Sequence, residues 1–337
     1  MAESINQALV ETTIKQSIKR IQDDPERSTR TLIDMALLFA NGKFQQHFFK
    51  IIQQMLQDES SSYYQIIPDL IANVEVKRIT TFGINLGYNS CTRGARIIRK
   101  VEEEQHFNVP WSVFLKIDND SFQKYCKNYH ELFEQGQALG IYTWILISEY
   151  GISTCLELAE KYNDHAFIII CNPCDITPAL LDKANEIYNI MFVVRLDNNA
   201  NLACKLLRER KFLYSISYQY SEKEIDDILN GTIISDLQTL HPVFSVLYPK
   251  SSCSLSVQQL VYEYIRETRM KQCYTTVPFD LFYDMKFIDE IISEDAVLVL
   301  FDQCGHCHYI TKHESEEKYN LFEESLSEIL KKILPKS

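Results

Sequence analysis

The sequence predicts an α/β protein: a partial (β/α)6 TIM-like barrel, preceded by an N-terminal helical subdomain and followed by a C-terminal hairpin plus helix. Three observations carry this. Short apolar runs recur at 114–117, 142–147, 167–170, 190–195, 212–218 and 243–248. Amphipathic segments at 121–140, 153–163, 178–187, 199–209 and 222–229 lie between them. The runs are continuous rather than alternating, so the strands are covered on both faces, as in a parallel sheet. Right-handed crossovers would curl six such repeats into a barrel or half-barrel.

The elements follow in chain order. Residues 1–75 read as a helical subdomain. Ile5, Leu9, Ile14, Ile18 and Ile21 fall at roughly helical spacing, and Asp23-Asp24-Pro25 stops that helix. Ser28 caps a second helix through Phe39, ended by Asn41-Gly42 as a left-handed cap. Phe44, Phe48, Ile51, Ile52 and Met55 stripe a third, and a fourth covers about 63–73. Residues 76–110 form a linker segment containing Gly83-Ile84-Asn85-Leu86-Gly87-Tyr88. That stretch lacks the lysine and hydroxyl of a G-x4-G-K-[ST] phosphate loop. The barrel occupies 111–272, with a helix at 257–270 after the sixth strand. In 273–337, two apolar stretches at 297–301 and 308–311 flank Asp302-Gln303-Cys304-Gly305-His306-Cys307 as a hairpin, and a charged helix at 314–334 closes the segment.

Composition narrows the function classes. The 337 residues are 46% hydrophobic and 24% charged, with nine Gly and nine Pro, which suits a folded chain with a large core. Net charge is −12 with no block of Lys and Arg, which argues against nucleic acid and against anionic membranes. No apolar run approaches the ~20 residues that span a bilayer. Residues 1–28 are polar and charged, unlike a signal peptide, so the expected location is cytoplasmic. In a reducing compartment the ten cysteines are expected as thiols or metal ligands rather than disulfides.

A parallel barrel carries its chemistry at the carboxyl ends of its strands. Here those ends read Asp118-Asn119-Asp120, Ser148-Glu149-Tyr150 and Cys171-Asn172-Pro173-Cys174, with no standard catalytic signature. Glu149, Asp118, Asp120, Arg195, Asp197, Tyr218 and Tyr220 can together line a polar pocket, or each can be a loop residue facing water. Arg195 ends an apolar strand and so calls for an anionic partner: Glu149, Asp118, or a bound carboxylate or phosphate. Glu149 and Arg195 are the candidate cofactor contacts. Two C-x2-C pairs, Cys171/Cys174 and Cys304/Cys307, are the strongest local chemical signal. Paired thiolates at this spacing can grip zinc or iron, and two such turns can complete one tetrahedral site. The second pair can also act with His306 or His308. The competing reading makes all four plain loop thiols, set apart in the fold. A thioredoxin-like role for Cys304 and Cys307 needs a helix N-terminus, which the hairpin does not supply.

Longer segments carry a family likeness. An Asp24-Pro25-Glu26 turn lies in the helical region, and Phe107-Asn108-Val109-Pro110-Trp111 leads into the first barrel strand. Glu134-Gln135-Gly136-Gln137-Ala138-Leu139-Gly140-Ile141-Tyr142 and Glu160-Lys161-Tyr162-Asn163-Asp164 follow in order. On these segments, and over most of its length, the chain resembles a bacterial group of radical S-adenosylmethionine enzymes. The resemblance implies a TIM-like barrel. It also implies a [4Fe–4S] cluster held by C-x3-C-x2-C after the first strand, with S-adenosylmethionine on the fourth iron. This sequence departs from that pattern. Ile117-Asp118-Asn119-Asp120-Ser121 occupies the cluster position, and no C-x3-C occurs anywhere in the chain. Ile147-Ser148-Glu149-Tyr150 stands where the family has a Gly-Gly-Glu segment that meets the cofactor's amino group.

The expectation is therefore a degenerate member of that superfamily, non-catalytic or repurposed as a binding or partner module for a protein or peptide. No cofactor and no cleavage of S-adenosylmethionine are expected. The competing expectation is a metal-dependent enzyme that uses Cys171, Cys174, Cys304 and Cys307 with zinc or an iron–sulfur centre. Tyr150, Tyr218 and Tyr220 are expected to fill part of the barrel mouth.

Overall fold

The computed structural model describes residues 43–293, 295–309 and 315–336, with Thr12, Arg27, Arg30, Thr31, Ile33, Asp34 and Leu37. The helices expected within 5–21 and 28–39 lie almost wholly outside the described residues.

Chain order is helical first. Helices α1 (Lys43–Met55), α2 (Tyr63–Asn73) and α3 (Val76–Ile84) lead into a π-helical turn, Asn85–Gly94, and α4 (Ala95–Gln105). The segment expected as a linker is thus helical from Val76 to Gln105. Its polar side chains tie it to the barrel floor. Asn85 Nδ2 donates to the carbonyls of Asn163 and His165, each at 2.8 Å. The fully buried Arg78 donates to the carbonyls of Ile187 and Asn185, each at 2.6 Å. These carbonyls precede the third and fourth strands, so the helices cover the amino ends of the sheet and leave the carboxyl ends open.

Strands β1 (Ser112–Asp118), β2 (Thr143–Tyr150), β3 (Ala166–Cys171), β4 (Ile190–Arg195), β5 (Tyr214–Tyr220) and β6 (Phe244–Pro249) are the six expected. Helices α5 (Asn119–Leu139), α6 (Ser153–Lys161), α7 (Pro178–Lys183) and α8 (Ala200–Glu209) cross between successive strands. Helices α9 (Ile225–Leu229) and α10 (Thr232–Gln238) link β5 to β6, and α11 (Leu255–Lys271) follows β6. Two further parallel strands complete the arc: β7 (Val277–Asp280), followed by α12 (Leu281–Ser293), and β8 (Val299–Phe301). At four residues β7 is too short to show as an apolar run, while β8 lies in the apolar stretch 297–301 that was expected as a hairpin arm and not as a barrel strand. An antiparallel pair, β9 (His306–Tyr309) and β10 (Ser315–Asn320), and helix α13 (Leu326–Ile333) end the described chain.

The sheet runs β10-β9-β8-β1-β2-β3-β4-β5-β6-β7, so β7 and β10 are edges and the barrel is open. Eight neighbouring strands, β8 and β1 through β7, are parallel. Burial on both faces explains the continuous runs: Val113, Phe114 and Leu115 are fully buried in succession, as are Trp144, Ile145 and Leu146. The hairpin expected at the C-terminus exists, and its first strand joins the barrel by pairing in parallel with β1, Leu115 opposite Phe301. The turn after β8 therefore stands at the barrel mouth.

Candidate functional site at the barrel mouth

Residue by residue, the mouth is largely committed to structure. At β1, Asp118 caps α5: its Oδ1 accepts the Ser121 N–H at 2.7 Å. Strand and helix are consecutive, ending at Asp118 and starting at Asn119, so no loop separates them. Three thiolates around a [4Fe–4S] cluster would need such a loop, and no cysteine lies between Cys91 and Cys126. The residues present after β1 do not fit the cluster.

At β2, the Ser148 hydroxyl donates to the Gly151 carbonyl at 3.0 Å, closing a turn in which Gly151 takes φ +77°. Glu149 is half-buried at the rim, and Tyr150, 78% exposed, points to solvent and does not fill the mouth. Tyr218 is half-buried, and Tyr220 is buried with a hydroxyl that makes no hydrogen bond to the described residues. Asp120 and Asp197 are exposed. A groove of about 490 Å³ opens beside the mouth between the starts of α5 and α6, lined by Asn119, Phe122, Gln123, Cys126, Thr154 and Glu157.

Arg195, the last residue of β4, is half-buried. Its Nη1 donates to Asn172 Oδ1 at 2.9 Å and to the Ser148 carbonyl at 3.3 Å. These neutral oxygens are its partners, and neither Glu149 nor Asp118 is. The carboxylate that senses its charge is Asp175, one turn beyond β3. Burial pushes the Asp175 carboxyl up, while the Asn172 backbone and Arg195 pull it down. Asp175 Oδ2 is buried without a hydrogen bond to the described residues. Sequence reasoning missed both Asn172 and Asp175, because a register between neighbouring strands decides which loop residue meets Arg195.

The cysteine pairs are split by burial. Cys171 is buried at the end of β3, where burial pushes its thiol up, and Cys174 is exposed. Cys307 is buried in the core while Cys304 is exposed in the turn after β8. Strands β1 and β2 stand between β8 and β3. At about 4.8 Å per strand, β8 and β3 are about 14 Å apart along the sheet, and Cys307, on β9, lies one strand further still. Among the described residues these four sulfurs do not converge.

A different group does. One ligand atom each from Asp302, Cys304 and His306 lies within 4.8 Å of the others. Asp302 Oδ1 accepts the N–H groups of Cys304 and His306, each at 2.9 Å. Its Oδ2 lies 2.9 Å from His308 Nε2 and 3.5 Å from His306 Nδ1. Burial pushes the Asp302 carboxyl up, but the His308 hydrogen bond and the two N–H donors outweigh it and hold the group below its ordinary range.

The fold and mouth define a class: an open, largely parallel α/β barrel of TIM-like build with a helical floor. No protein-family model matches the sequence, and no curated protein matches it. Among solved structures it is similar to SuiB of Streptococcus suis, with TM-score 0.51 at 12% identity over 70% of this chain and 68% of SuiB. SuiB bound to S-adenosylmethionine gives TM-score 0.50 at 11% identity, over 70% and 66% of the two chains. SuiB bound to the precursor peptide SuiA gives 0.51 at 10%, over 70% and 67%. The likeness is one of fold, over about two thirds of SuiB.

Proposed function

We propose that this protein is a radical S-adenosylmethionine-like barrel repurposed as a peptide-binding module, without cluster-dependent cleavage of S-adenosylmethionine. The observation that carries the reading is the direct join of β1 to α5 through the Asp118 cap, which leaves no loop for three cluster cysteines. The fold likeness to a protein that holds a precursor peptide supports the peptide partner. Arg195 supplies the recognition chemistry: Nη1 is held by Asn172 and Ser148, while Nε and Nη2 make no hydrogen bond to the described residues and can meet a peptide carboxylate.

Anaerobic reconstitution with iron and sulfide, followed by a visible spectrum and an assay for 5′-deoxyadenosine, tests the first half. The expected result is neither chromophore nor product; a stoichiometric brown cluster with 5′-deoxyadenosine overturns the reading. Selection from a displayed random-peptide library tests the second. Enriched peptides should carry an acidic residue or free C-terminus and lose affinity roughly tenfold or more for Arg195→Ala, a hydrogen bond to a charged group being worth about 1.5–3 kcal/mol. Failure to enrich any peptide, or equal binding by the variant, removes the peptide role.

A further inference from the structure

We propose that the turn joining β8 to β9 is a transition-metal site in which Asp302, Cys304 and His306 bind a zinc ion and His308 holds Asp302 in place. The site owes nothing to the C-x2-C spacing noticed in the sequence. It follows from the turn itself, in which Asp302 Oδ1 gathers the N–H groups of Cys304 and His306, and from β9, where His306 and His308 share one face while Cys307 takes the other and is buried.

The geometry is close to what zinc requires. Ligand atoms about 2.0–2.3 Å from a tetrahedral ion stand roughly 3.3–3.8 Å from one another. The three ligand atoms here lie within 4.8 Å, so side-chain rotation of an ångström or so closes the set. The backbone is already shaped. Gly305 takes φ +84°, and a Cβ there would meet Asn320 Oδ1 at 2.5 Å, while Asn320 Nδ2 donates to the Cys304 carbonyl at 2.9 Å. The turn is thus held from β10 as well as by Asp302. Cys304 is exposed, which gives an ion a route in.

The donor set selects the ion. One thiolate, one imidazole and one carboxylate form a mixed, borderline-soft set that suits zinc and not magnesium or calcium, which prefer oxygen ligands alone. Binding would displace the Cys304 thiol proton to solvent. His308 Nε2–H on Asp302 Oδ2 is the outer hydrogen bond that ligating carboxylates commonly receive. Three protein ligands leave a fourth position for water or a further ligand, on a turn that stands at the mouth end of the sheet because β8 runs parallel to β1. This inference is independent of the peptide-binding reading.

The test uses the full chain, stripped with chelator under reducing conditions and then loaded with zinc or cobalt. One equivalent of zinc is expected after desalting, and the cobalt form should show near-ultraviolet thiolate-to-metal absorption. Zinc should protect Cys304 from alkylation but leave the exposed Cys174 and Cys273 reactive. Cys304→Ser and His306→Ala should abolish stoichiometric zinc and the absorption band, and His308→Ala should weaken binding about 10–100-fold. Cys174→Ser should behave as the unaltered protein. Thermal melting of each chelated variant shows whether it is folded. No zinc above background in the folded chain, zinc retained by Cys304→Ser, or zinc lost in Cys174→Ser would each overturn the proposal.

Discussion

Arg195 reaches across the sheet to Asn172, donating from Nη1 to Oδ1 at 2.9 Å, and the same nitrogen meets the Ser148 carbonyl. The ends of β2, β3 and β4 are thereby tied together by one side chain. A double-mutant cycle with Arg195→Ala and Asn172→Ala should give a coupling of about 1 kcal/mol by urea unfolding. Additive effects would show that the contact is not formed.

His165 is buried in an aromatic cage, stacked on Tyr162 at 5.6 Å and edge-on to Tyr142 at 5.1 Å, and among the described residues neither ring nitrogen has a hydrogen-bond partner. Burial pushes its pKa down to about 4 despite Asp164 nearby, with Arg93 acting in the same direction as burial. Between about 6.5 and 4 the unfolded chain therefore binds the extra proton and the folded one does not. The stabilising difference is complete above pH 6.5 and is lost as pH falls toward 4, on the order of 3 kcal/mol. Unfolding free energies measured from pH 8 to 4 should fall less steeply for His165→Phe. Parallel curves would refute the assignment.

Gly140 ends α5 at φ +96°, and a Cβ there would lie 2.5 Å from the Gly94 carbonyl oxygen. Gly140→Ala should cost about 2 kcal/mol or more, through backbone strain and loss of this close approach. Gly83, exposed within α3, has none of the described residues within 4 Å of its missing Cβ. Gly83→Ala should instead stabilise by about 0.5–1 kcal/mol through helix propensity. Differential melting separates the two, and a stable Gly140→Ala protein would contradict the packing.

Arg78 is fully buried over the Phe212 ring at 3.8 Å, with its donors on the Ile187 and Asn185 carbonyls. Removing it leaves those carbonyls unmet and opens a cavity, so Arg78→Ala should cost about 3 kcal/mol or more. Arg78→Lys should recover only part, since one ammonium cannot reproduce the planar fork. Full rescue by lysine, read by urea unfolding, would show that charge alone matters.

In the chelated, native protein, Cys174, Cys273 and Cys304 should alkylate fast, while Cys91, Cys155, Cys171, Cys204, Cys253 and Cys307 resist. Burial raises the Cys155 thiol to about 12, so little reactive thiolate forms there at neutral pH. Peptide mass spectrometry after brief iodoacetamide treatment checks this. Rapid labelling of Cys171 would place it outside the core.

Hydrophobic patterning alone determined the repeating strand and helix order from β1 to β6, because buried parallel strands must be apolar on both faces and Val113 through Leu115 record that requirement. It also marked the mouth as the place for polar chemistry, since Asp118, Glu149 and Arg195 end apolar runs. Helix α2 was equally legible, as was the absence of a C-x3-C-x2-C run. Strand β7 was not legible: four residues are too few for a periodic signal, and only pairing with β6 makes it a strand. Strand β8 was legible as the first arm of a hairpin at 297–301, but its parallel pairing with β1, which makes it a barrel strand, was not. The helical span from Val76 to Gln105 likewise depends on Arg78 and Asn85 meeting carbonyls about 80–110 positions away. Tertiary structure alone decided the sites. Sequence spacing suggested pairing Cys304 with Cys307, whereas the fold leaves Cys304 exposed in the turn and sends Cys307, on β9, into the core. Which atoms share a space depends on register and on the face each side chain takes, and neither is a property of the residues taken singly.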